Sequence, residues 1–352
     1  MGGGVDLVTE RSDSRVTLLP AGGPNSIAAS IGIVGDEWTL WIVEMALQQG
    51  FTQYNEWLRA GPISSSVLTA RLARLVEADV FERAPYNSRP PRNDYHLTTR
   101  GRQLWPILIS MWAWEETWVD DPDNRLPQMR HTECGQVFSP VHVCAACDKP
   151  TTIHDVRAAF GPSGSWPRSI PAASTRRRSH SGTRPPELVE QTMALIGNRW
   201  STAMIGAAFM GARRFGEFEA WMGAPPTIVA ERLRTFCEIG VLTPSPNPTR
   251  PDWSIYALTE KGGSFYPVTA LVLDWGERWF QSPEGPALLM THVECGNAFH
   301  PRLQCSACGQ RLRGHAVQVV RAGDAVAAVR GGNGRPLRQG FQGPRKRRTP
   351  GG

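Results

Sequence analysis

Eight residues of this chain have the types and spacing to hold metal. His131, Cys134, Cys144 and Cys147 form one cluster, and His292, Cys295, Cys305 and Cys308 form a second with the same spacing, H-x2-C-x9-C-x2-C. A chelating pair, a loop and a second pair is a pattern with which a chain wraps a tetrahedral Zn²⁺, three thiolates and one imidazole closing the shell. Two structural zinc sites, one per cluster, are therefore predicted. Six of the seven cysteines lie in the clusters. The seventh, Cys237, sits among apolar neighbours and reads as a packing residue. Thiols grouped in this way fit a reducing compartment better than a disulfide framework.

Three chemistries fit such clusters. A closed four-ligand shell is structural, and the same thiolates can serve as a redox switch. The third is a zinc hydrolase, because His131-Thr132-Glu133 followed by Cys144-x2-Cys147 superficially matches the H-x-E…C-x-x-C of nucleobase deaminases. That match fails on three counts. The gap from Glu133 to Cys144 is too short for an intervening helix, no Pro precedes Cys144 or Cys305, and Cys134 fills the fourth position. No enzymatic activity is predicted.

The repeated spacing extends far beyond the cysteines. At an offset of 161, Tyr54, Arg71, Leu72, Val80, Tyr95, Leu97, Thr98, Gly101, Pro106, Trp114 and Trp118 answer Phe215, Arg232, Leu233, Val241, Tyr256, Leu258, Thr259, Gly262, Pro267, Trp275 and Trp279. Trp38 answers Trp200. His131 and His292 also correspond, whereas His142 and His300 face Leu303 and Ser139, which supports the ligand choice. The chain is a duplication. Its 352 residues suit about two domains with their own cores.

The elements that must position these residues follow from periodicity. In the first repeat, 26–47 has helical spacing of Ile27, Ile31, Val34, Leu40, Val43 and Leu47. A short helix over 52–59 ends at Gly61-Pro62, and Ser64 caps a helix over 65–78 with Leu68, Leu72 and Leu75 inward. Two short strands, 80–84 and 95–97, flank a Pro- and Arg-rich loop, and Thr98 caps a last long helix rich in Trp. The predicted fold is mainly α with small β-ribbons (α+β): two winged helix-turn-helix domains, each followed by a small zinc-ribbon-like knuckle. The expected boundaries are a flexible N-terminus 1–22, winged helices 23–122 and 187–283, zinc-ribbon-like modules 128–160 and 288–322, a basic linker 161–186 and a basic disordered tail 323–352.

The net charge of +6 is unevenly placed. Segment 161–186 carries +5 and the tail 330–352 carries +7, which leaves −6 for the remainder. Basic flexible segments attract nucleic acid without specifying sequence. The first thirteen residues lack the pattern of a signal peptide, and no window reaches the roughly 18 apolar residues of a membrane span. A cytoplasmic, nucleoid-associated protein is expected.

Gly35-Asp36-Glu37-Trp38-Thr39-Leu40, Val67-Leu68-Thr69-Ala70-Arg71-Leu72 and Tyr95-His96-Leu97-Thr98 resemble the HxlR-type winged-helix transcription regulators of bacteria. The second repeat resembles them again in Ile196-Gly197-Asn198-Arg199-Trp200, Arg213-Arg214-Phe215-Gly216-Glu217-Phe218 and Tyr256-Ala257-Leu258-Thr259. The resemblance covers roughly 26–118 and 188–279. It implies binding of double-stranded DNA, normally as a homodimer, with one winged helix per subunit. This chain departs by carrying two, so an internal pseudo-dimer is expected, or else a homodimer of the whole chain. Several such regulators sense oxidants through a Cys-Pro pair at the first helix. The corresponding positions here are about Asn25 and Glu187, so that mechanism does not carry over.

Within this frame Ser65, Ser66, Thr69, Ala70 and Arg74 lie on or beside the outward face of the recognition helix in repeat one. Thr227, Ala230 and Arg234 lie there in repeat two, where Glu231 would repel phosphate. Arg89, Arg92 and Arg250 lie in the wings, and Arg213 and Arg214 open the second helix of repeat two. Arg71 and Arg232 lie near the buried edge and read as structural. The competing class is a zinc-stabilised protein-interaction module, or a thiol redox-responsive regulator, with only non-specific DNA contact. No small-molecule effector is assigned.

Overall fold

A computed structural model of the chain describes residues 15–88, 91–119, 126–171 and 190–320. The first repeat runs β1 (Thr17–Leu18), α1 (Ser26–Val34), α2 (Glu37–Gln48), α3 (Tyr54–Ala60), α4 (Ser65–Glu77), β2 (Phe81–Ser88), β3 (Pro91–Leu97), α5 (Thr99–Arg102) and α6 (Trp105–Trp118). Three strands follow, β4 (Gln128–His131), β5 (Pro140–Cys144) and β6 (Val156–Phe160), and then the short α7 (Trp166–Ser169). The second repeat runs α8 (Glu190–Ile196), α9 (Arg199–Phe209), α10 (Phe215–Met222), α11 (Pro226–Glu238), β7 (Leu242–Pro246), β8 (Ser254–Leu258), α12 (Glu260–Gly263) and α13 (Tyr266–Trp279). It ends with β9 (Phe280–Gln281), β10 (Leu288–His292), β11 (Pro301–Cys305) and β12 (Val317–Val320). Among the described residues no single helix is long and apolar enough to cross a membrane.

Each repeat packs its second, third and fourth helices around a hairpin. In repeat one the fully buried Trp57 is at the centre, its ring edge-on to Phe51, Phe81 and Tyr95 and its indole N–H donating to the Ile42 carbonyl (3.1 Å). Leu68, Leu72 and Leu75 line the buried side of α4, as their spacing predicts. Ser64 caps α4 by accepting from the Val67 N–H (3.3 Å).

Three local expectations are corrected. The helix predicted over 26–47 is broken into α1 and α2, because Asp36 takes an extended backbone and caps α2 at the Thr39 N–H. The chain also passes so close at Gly35 that a Cβ would meet the Ile31 carbonyl at 2.6 Å and the Ile196 carbonyl at 3.1 Å. The last long helix is likewise split: Thr98 caps only the single turn α5, and α6 starts afresh at Trp105-Pro106. Most of the segment expected as a wing loop is strand, since β2 and β3 pair from Phe81↔Leu97 to Ser88↔Pro91 with a bulge between Pro85 and Asn87. The prolines sit at the bulge and at the start of β3, where a missing N–H is tolerated.

Two segments expected to be flexible are partly tied down. Within 1–22, β1 runs parallel to β9, and the buried Arg100 guanidinium holds it by donating to the Arg15 carbonyl and to Thr17 Oγ1 (3.1 Å). Within 161–186, α7 is anchored by the Asn25 amide, which donates to the Ser163 carbonyl (3.1 Å) and Ser169 Oγ (2.9 Å). Trp166 stacks on Trp221 at 5.6 Å. The rest of that segment, 172–186, and the tail 323–352 lie outside the described residues.

The largest departure is at the cysteine modules, which are not two separate knuckles. Every strand of one module pairs with a strand of the other: β4 with β12, β5 with β11, and β6 with β10, all antiparallel. The register repeats the offset of 161. His131↔Val317 becomes Val156↔His292 when the two repeats are exchanged, and the central pair His142↔Leu303 maps onto itself. A local two-fold axis therefore passes between β5 and β11. His142 sits there, 2.9 Å from Ser110 Oγ, and burial pushes its imidazole down to about 4.

The helices obey the same symmetry. α1 packs on α13, α8 on α6, and α6 on α13. The Trp114 indole donates to the Lys261 carbonyl (3.1 Å), and its counterpart Trp275 donates to the Arg100 carbonyl (3.1 Å). Trp114 also packs edge-on against Phe265. One asymmetric contact adds to these. The buried carboxylate of Glu115 accepts from the Gln191 and Thr192 N–H groups (3.0 Å each) and the Thr192 hydroxyl (2.7 Å), at the start of α8. Glu115→Ala should strand these buried donors and cost about 2–4 kcal/mol. Urea unfolding checks this, and a loss under about 0.5 kcal/mol would show that the cap does not hold the halves together.

Candidate nucleic-acid interface and metal tetrads

The outward face of α4 is small and hydroxylated. Ser65, Ser66, Thr69, Ala70 and Ala73 are exposed while Leu68, Leu72 and Leu75 are buried, so the helix presents a low-relief ridge to solvent. The Tyr54 hydroxyl donates to the Ser65 carbonyl (2.8 Å) and lies 3.0 Å from Thr69 Oγ1, bracing α3 against α4. Arg74 is exposed, but its guanidinium donates to the Gly32 carbonyl (2.8 Å) near the end of α1, which directs it along the protein surface.

Asp36 and Arg71 fix α4 in place. Arg71 Nε lies 2.8 Å from Asp36 Oδ1 and its terminal nitrogen 2.7 Å from Oδ2, a two-pronged pair near the start of α2. Burial pushes the Asp36 carboxyl up, but the Arg71 bonds and charge, with the Thr39 N–H, outweigh it and hold the group below its ordinary 3.8. The structural reading of Arg71 agrees with this geometry.

Repeat two has the same frame with different chemistry. Its α9 is capped by the neutral Asn198, which accepts from the Trp200 and Ser201 N–H groups (3.0 and 2.9 Å). Arg232 pairs instead with its neighbour Glu231 (2.6 Å). On the outward face of α11, Thr227, Ala230 and Arg234 are exposed, with Arg234 Nε 3.8 Å from Glu238. Arg213 and Arg214 are exposed at the start of α10, where both backbone N–H groups donate to Glu217 (2.8 and 2.9 Å). The Arg214 guanidinium also meets Glu217 at 3.6 Å. In the wing of repeat two Arg250 lies 4.3 Å over the ring of Trp253, itself 53% exposed. This stacked aromatic was not singled out from sequence, although its place three residues after Arg250 was visible. Arg89 lies outside the described residues, and Arg92 lies within β3. Cys237 is half-buried against the core, and burial pushes its thiol up.

The eight predicted ligands gather into two tetrads, but not the two that spacing suggested. His131 and Cys134 meet Cys305 and Cys308, while Cys144 and Cys147 meet His292 and Cys295. Within each tetrad the potential ligand atoms lie within 4.8 Å of one another. The one-site-per-cluster grouping is therefore corrected: each tetrad takes an H-x2-C pair from one repeat and a C-x2-C pair from the other. The physical reason is strand pairing. The nine residues between Cys134 and Cys144 include β5, which runs out against β11 and carries Cys144 away from Cys134.

Each pair sits on a tight turn. The N–H of the residue after the second member donates to the carbonyl of the first, at Gly135→His131, Asp148→Cys144, Gly296→His292 and Gly309→Cys305 (2.7–2.9 Å). All four donor residues have positive φ, from 60° to 73°. Glycine takes that conformation without penalty, and Asp is among the side chains that tolerate it. Backbone N–H groups aim at the sulfurs as well. The Gln136 N–H lowers the Cys134 thiol, and the Asn297 N–H together with His292 brings Cys295 down to about 6. Behind His131, Nε2 lies 3.7 Å from the Glu133 carboxylate. Glu133 therefore stands on the imidazole's far side from Cys308, which approaches Nδ1 at 3.4 Å. At that distance the carboxylate makes no hydrogen bond to Nε2, and it stands on the side of the ring away from the tetrad.

The helices α3 and α4 with hairpin β2–β3, and α10 and α11 with hairpin β7–β8, define a helix-turn-helix protein with two copies of the unit. The sequence matches the HxlR-like helix-turn-helix profile over residues 33–123 and again over 195–284. The chain belongs to that family, in a tandem form, and its members act in transcription regulation. It is 33% identical over 126 residues to the uncharacterized HTH-type transcriptional regulator Rv3095 of Mycobacterium tuberculosis, covering 36% of this chain and 80% of that one. It is 32% identical over 99 residues to the uncharacterized HTH-type transcriptional regulator YdeP of Bacillus subtilis, covering 28% and 77%. The solved structure of PA1607, described as a candidate transcription factor, is similar over 42% of this chain and 99% of its own length, with 27% identity and a TM-score of 0.35.

Asp36→Asn should remove the anchor of α4 and lower stability by about 1–3 kcal/mol at neutral pH. Because the folded carboxyl titrates below its ordinary value, its contribution is fully present above that value and is lost as pH falls through the depressed one. The wild-type minus variant difference in unfolding free energy should thus shrink on acidification below about pH 4. A difference that stays constant down to pH 2.5 would contradict the ion-pair account.

Proposed function

We propose that this chain is a sequence-specific regulator that binds double-stranded DNA with both helix-turn-helix units, acting as an internal pseudo-dimer inside the cytoplasm. The observation that carries this reading is the exposed Ser65–Ser66–Thr69–Ala70 face of α4 on a helix whose other side is locked by Leu68, Leu72, Leu75 and the Asp36–Arg71 pair. Small hydroxylated side chains let a helix approach base edges closely, and their hydroxyls serve as donors or acceptors in the major groove. Hairpin β2–β3 and the Arg250–Trp253 stack of hairpin β7–β8 would lie along the neighbouring minor groove or backbone.

The two-fold relation between the repeats supports the pseudo-dimer, because a two-fold protein presents its two recognition helices to two half-sites about one helical turn apart. The half-sites would differ. Thr227, Ala230, Glu231 and Arg234 in repeat two stand where Ser66, Thr69, Ala70 and Ala73 stand in repeat one. Glu231 can accept from a cytosine amine and repels phosphate, while Arg234 can donate to a guanine, so an asymmetric operator is expected. Arg213 and Arg214 would hold phosphates beside α11.

We assign one structural Zn²⁺ to each tetrad, as the three-sulfur, one-nitrogen donor set is that of closed zinc sites. No position is left for substrate, which fits a binding protein and not an enzyme.

The test selects the preferred duplex from a random pool and compares variants on it. Ser66→Ala combined with Thr69→Ala should weaken binding to the selected site at least about tenfold while leaving the affinity for unrelated duplex within about twofold. Equal losses on both duplexes, or no loss on either, would contradict base reading by α4.

A further inference from the structure

We propose that the two metal ions are rivets between the repeats, each bonded half to one repeat and half to the other. The inference rests on the zinc assignment above and adds the connectivity: His131 and Cys134 with Cys305 and Cys308, and Cys144 and Cys147 with His292 and Cys295.

The distances suit a tetrahedral ion in both places. With Zn–S near 2.3 Å and Zn–N near 2.0–2.1 Å, a regular tetrahedron has S···S edges of about 3.8 Å and N···S edges of about 3.5 Å. In the first tetrad Cys134 and Cys305 are 4.0 Å apart at sulfur, and Cys308 Sγ lies 3.4 Å from His131 Nδ1. The second gives 4.0 Å for Cys144 and Cys295, and 3.3 and 3.2 Å from His292 Nδ1 to Cys147 and Cys295. Both tetrads present the same nitrogen of the imidazole, and the local two-fold exchanges them atom type for atom type. A sulfur-rich set with one imidazole selects a thiophilic divalent ion, Zn²⁺ or its substitutes Co²⁺ and Cd²⁺, over Mg²⁺ or Ca²⁺.

Three consequences follow. Neither repeat alone can close a shell, because each supplies only two ligands to either ion. Each ion closes a loop of long sequence span, since its ligands reach from His131 to Cys308 or from Cys144 to Cys295, and cross-links of that span constrain the unfolded chain most. The ions also lie where β4, β5, β10 and β11 end, so together they fix one repeat against the other and with it the separation of α4 and α11.

Metal counting on the full chain tests this by choosing which four ligands are removed. One variant removes a crossed tetrad, with His131→Ala, Cys134→Ser, Cys305→Ser and Cys308→Ser. A second removes the other crossed tetrad, with Cys144→Ser, Cys147→Ser, His292→Ala and Cys295→Ser. A third removes one sequence cluster, with His131→Ala, Cys134→Ser, Cys144→Ser and Cys147→Ser. Native mass spectrometry after Zn²⁺ loading and removal of excess metal should give two ions for the wild type, one for each crossed variant and none for the third. Reconstitution with Co²⁺ should show the thiolate charge-transfer band of the crossed variants at about half the wild-type intensity. The reverse pattern, none in the crossed variants and one in the third, would overturn the connectivity and leave the zinc assignment standing. Wild-type protein without two ions overturns the zinc assignment itself. Loss of both ions from both crossed variants also overturns the proposal, because each leaves one complete tetrad.

Discussion

The antiparallel pairing of β5 with β11 is the constraint on which the rest of the molecule depends. It sets His142 opposite Leu303 and so places a two-fold axis between the repeats. From that register β4 must find β12 and β10 must find β6, and the chelating turns at the strand ends are carried across to the other repeat. The helices repeat the arrangement, with Trp114 and Trp275 each donating to a carbonyl of the opposite repeat. The result is one body with a shared core that runs through both repeats.

That body is symmetric in its frame and unlike in its surfaces. Asp36 binds Arg71 in repeat one, whereas Asn198 replaces the carboxylate in repeat two and Arg232 turns to Glu231. A duplication kept within one chain permits such divergence. Two identical subunits must read identical half-sites, while fused repeats can change one recognition helix without changing the other. The exposed face of α4 is small and hydroxylated, whereas that of α11 carries Arg234 beside the half-buried Glu231.

Much of this was legible in the sequence, for identifiable reasons. The eight candidate ligands stand out because a thiol or imidazole in a repeated spacing has few other uses, and the inward leucines of α4 are readable from their helical period. The grouping of the ligands was not readable. Two copies of H-x2-C and C-x2-C complete the same shell whether they close within a repeat or across repeats, and spacing carries no information about the choice. Only the β5–β11 register decides it. The break at Gly35-Asp36 was masked by an apolar period that continues through both helices, although an Asp followed three residues later by Thr is compatible with a cap. Residues 161–171 look flexible because they are rich in Gly, Pro and Ser, and 15–22 because they follow a Gly-rich start, yet Trp166, Thr17 and the buried Arg100 supply anchors that no local pattern reveals.

If the two repeats form one reading unit, a single chain is enough for a whole operator. The direct measurement is the mass of the complex on a selected duplex, by sedimentation equilibrium at protein concentrations near the dissociation constant, paired with the hydroxyl-radical footprint of the same complex. The account predicts one chain per duplex and two protected half-sites about one helical turn apart, or about 10 base pairs. Two chains per duplex with one half-site protected by each would contradict it.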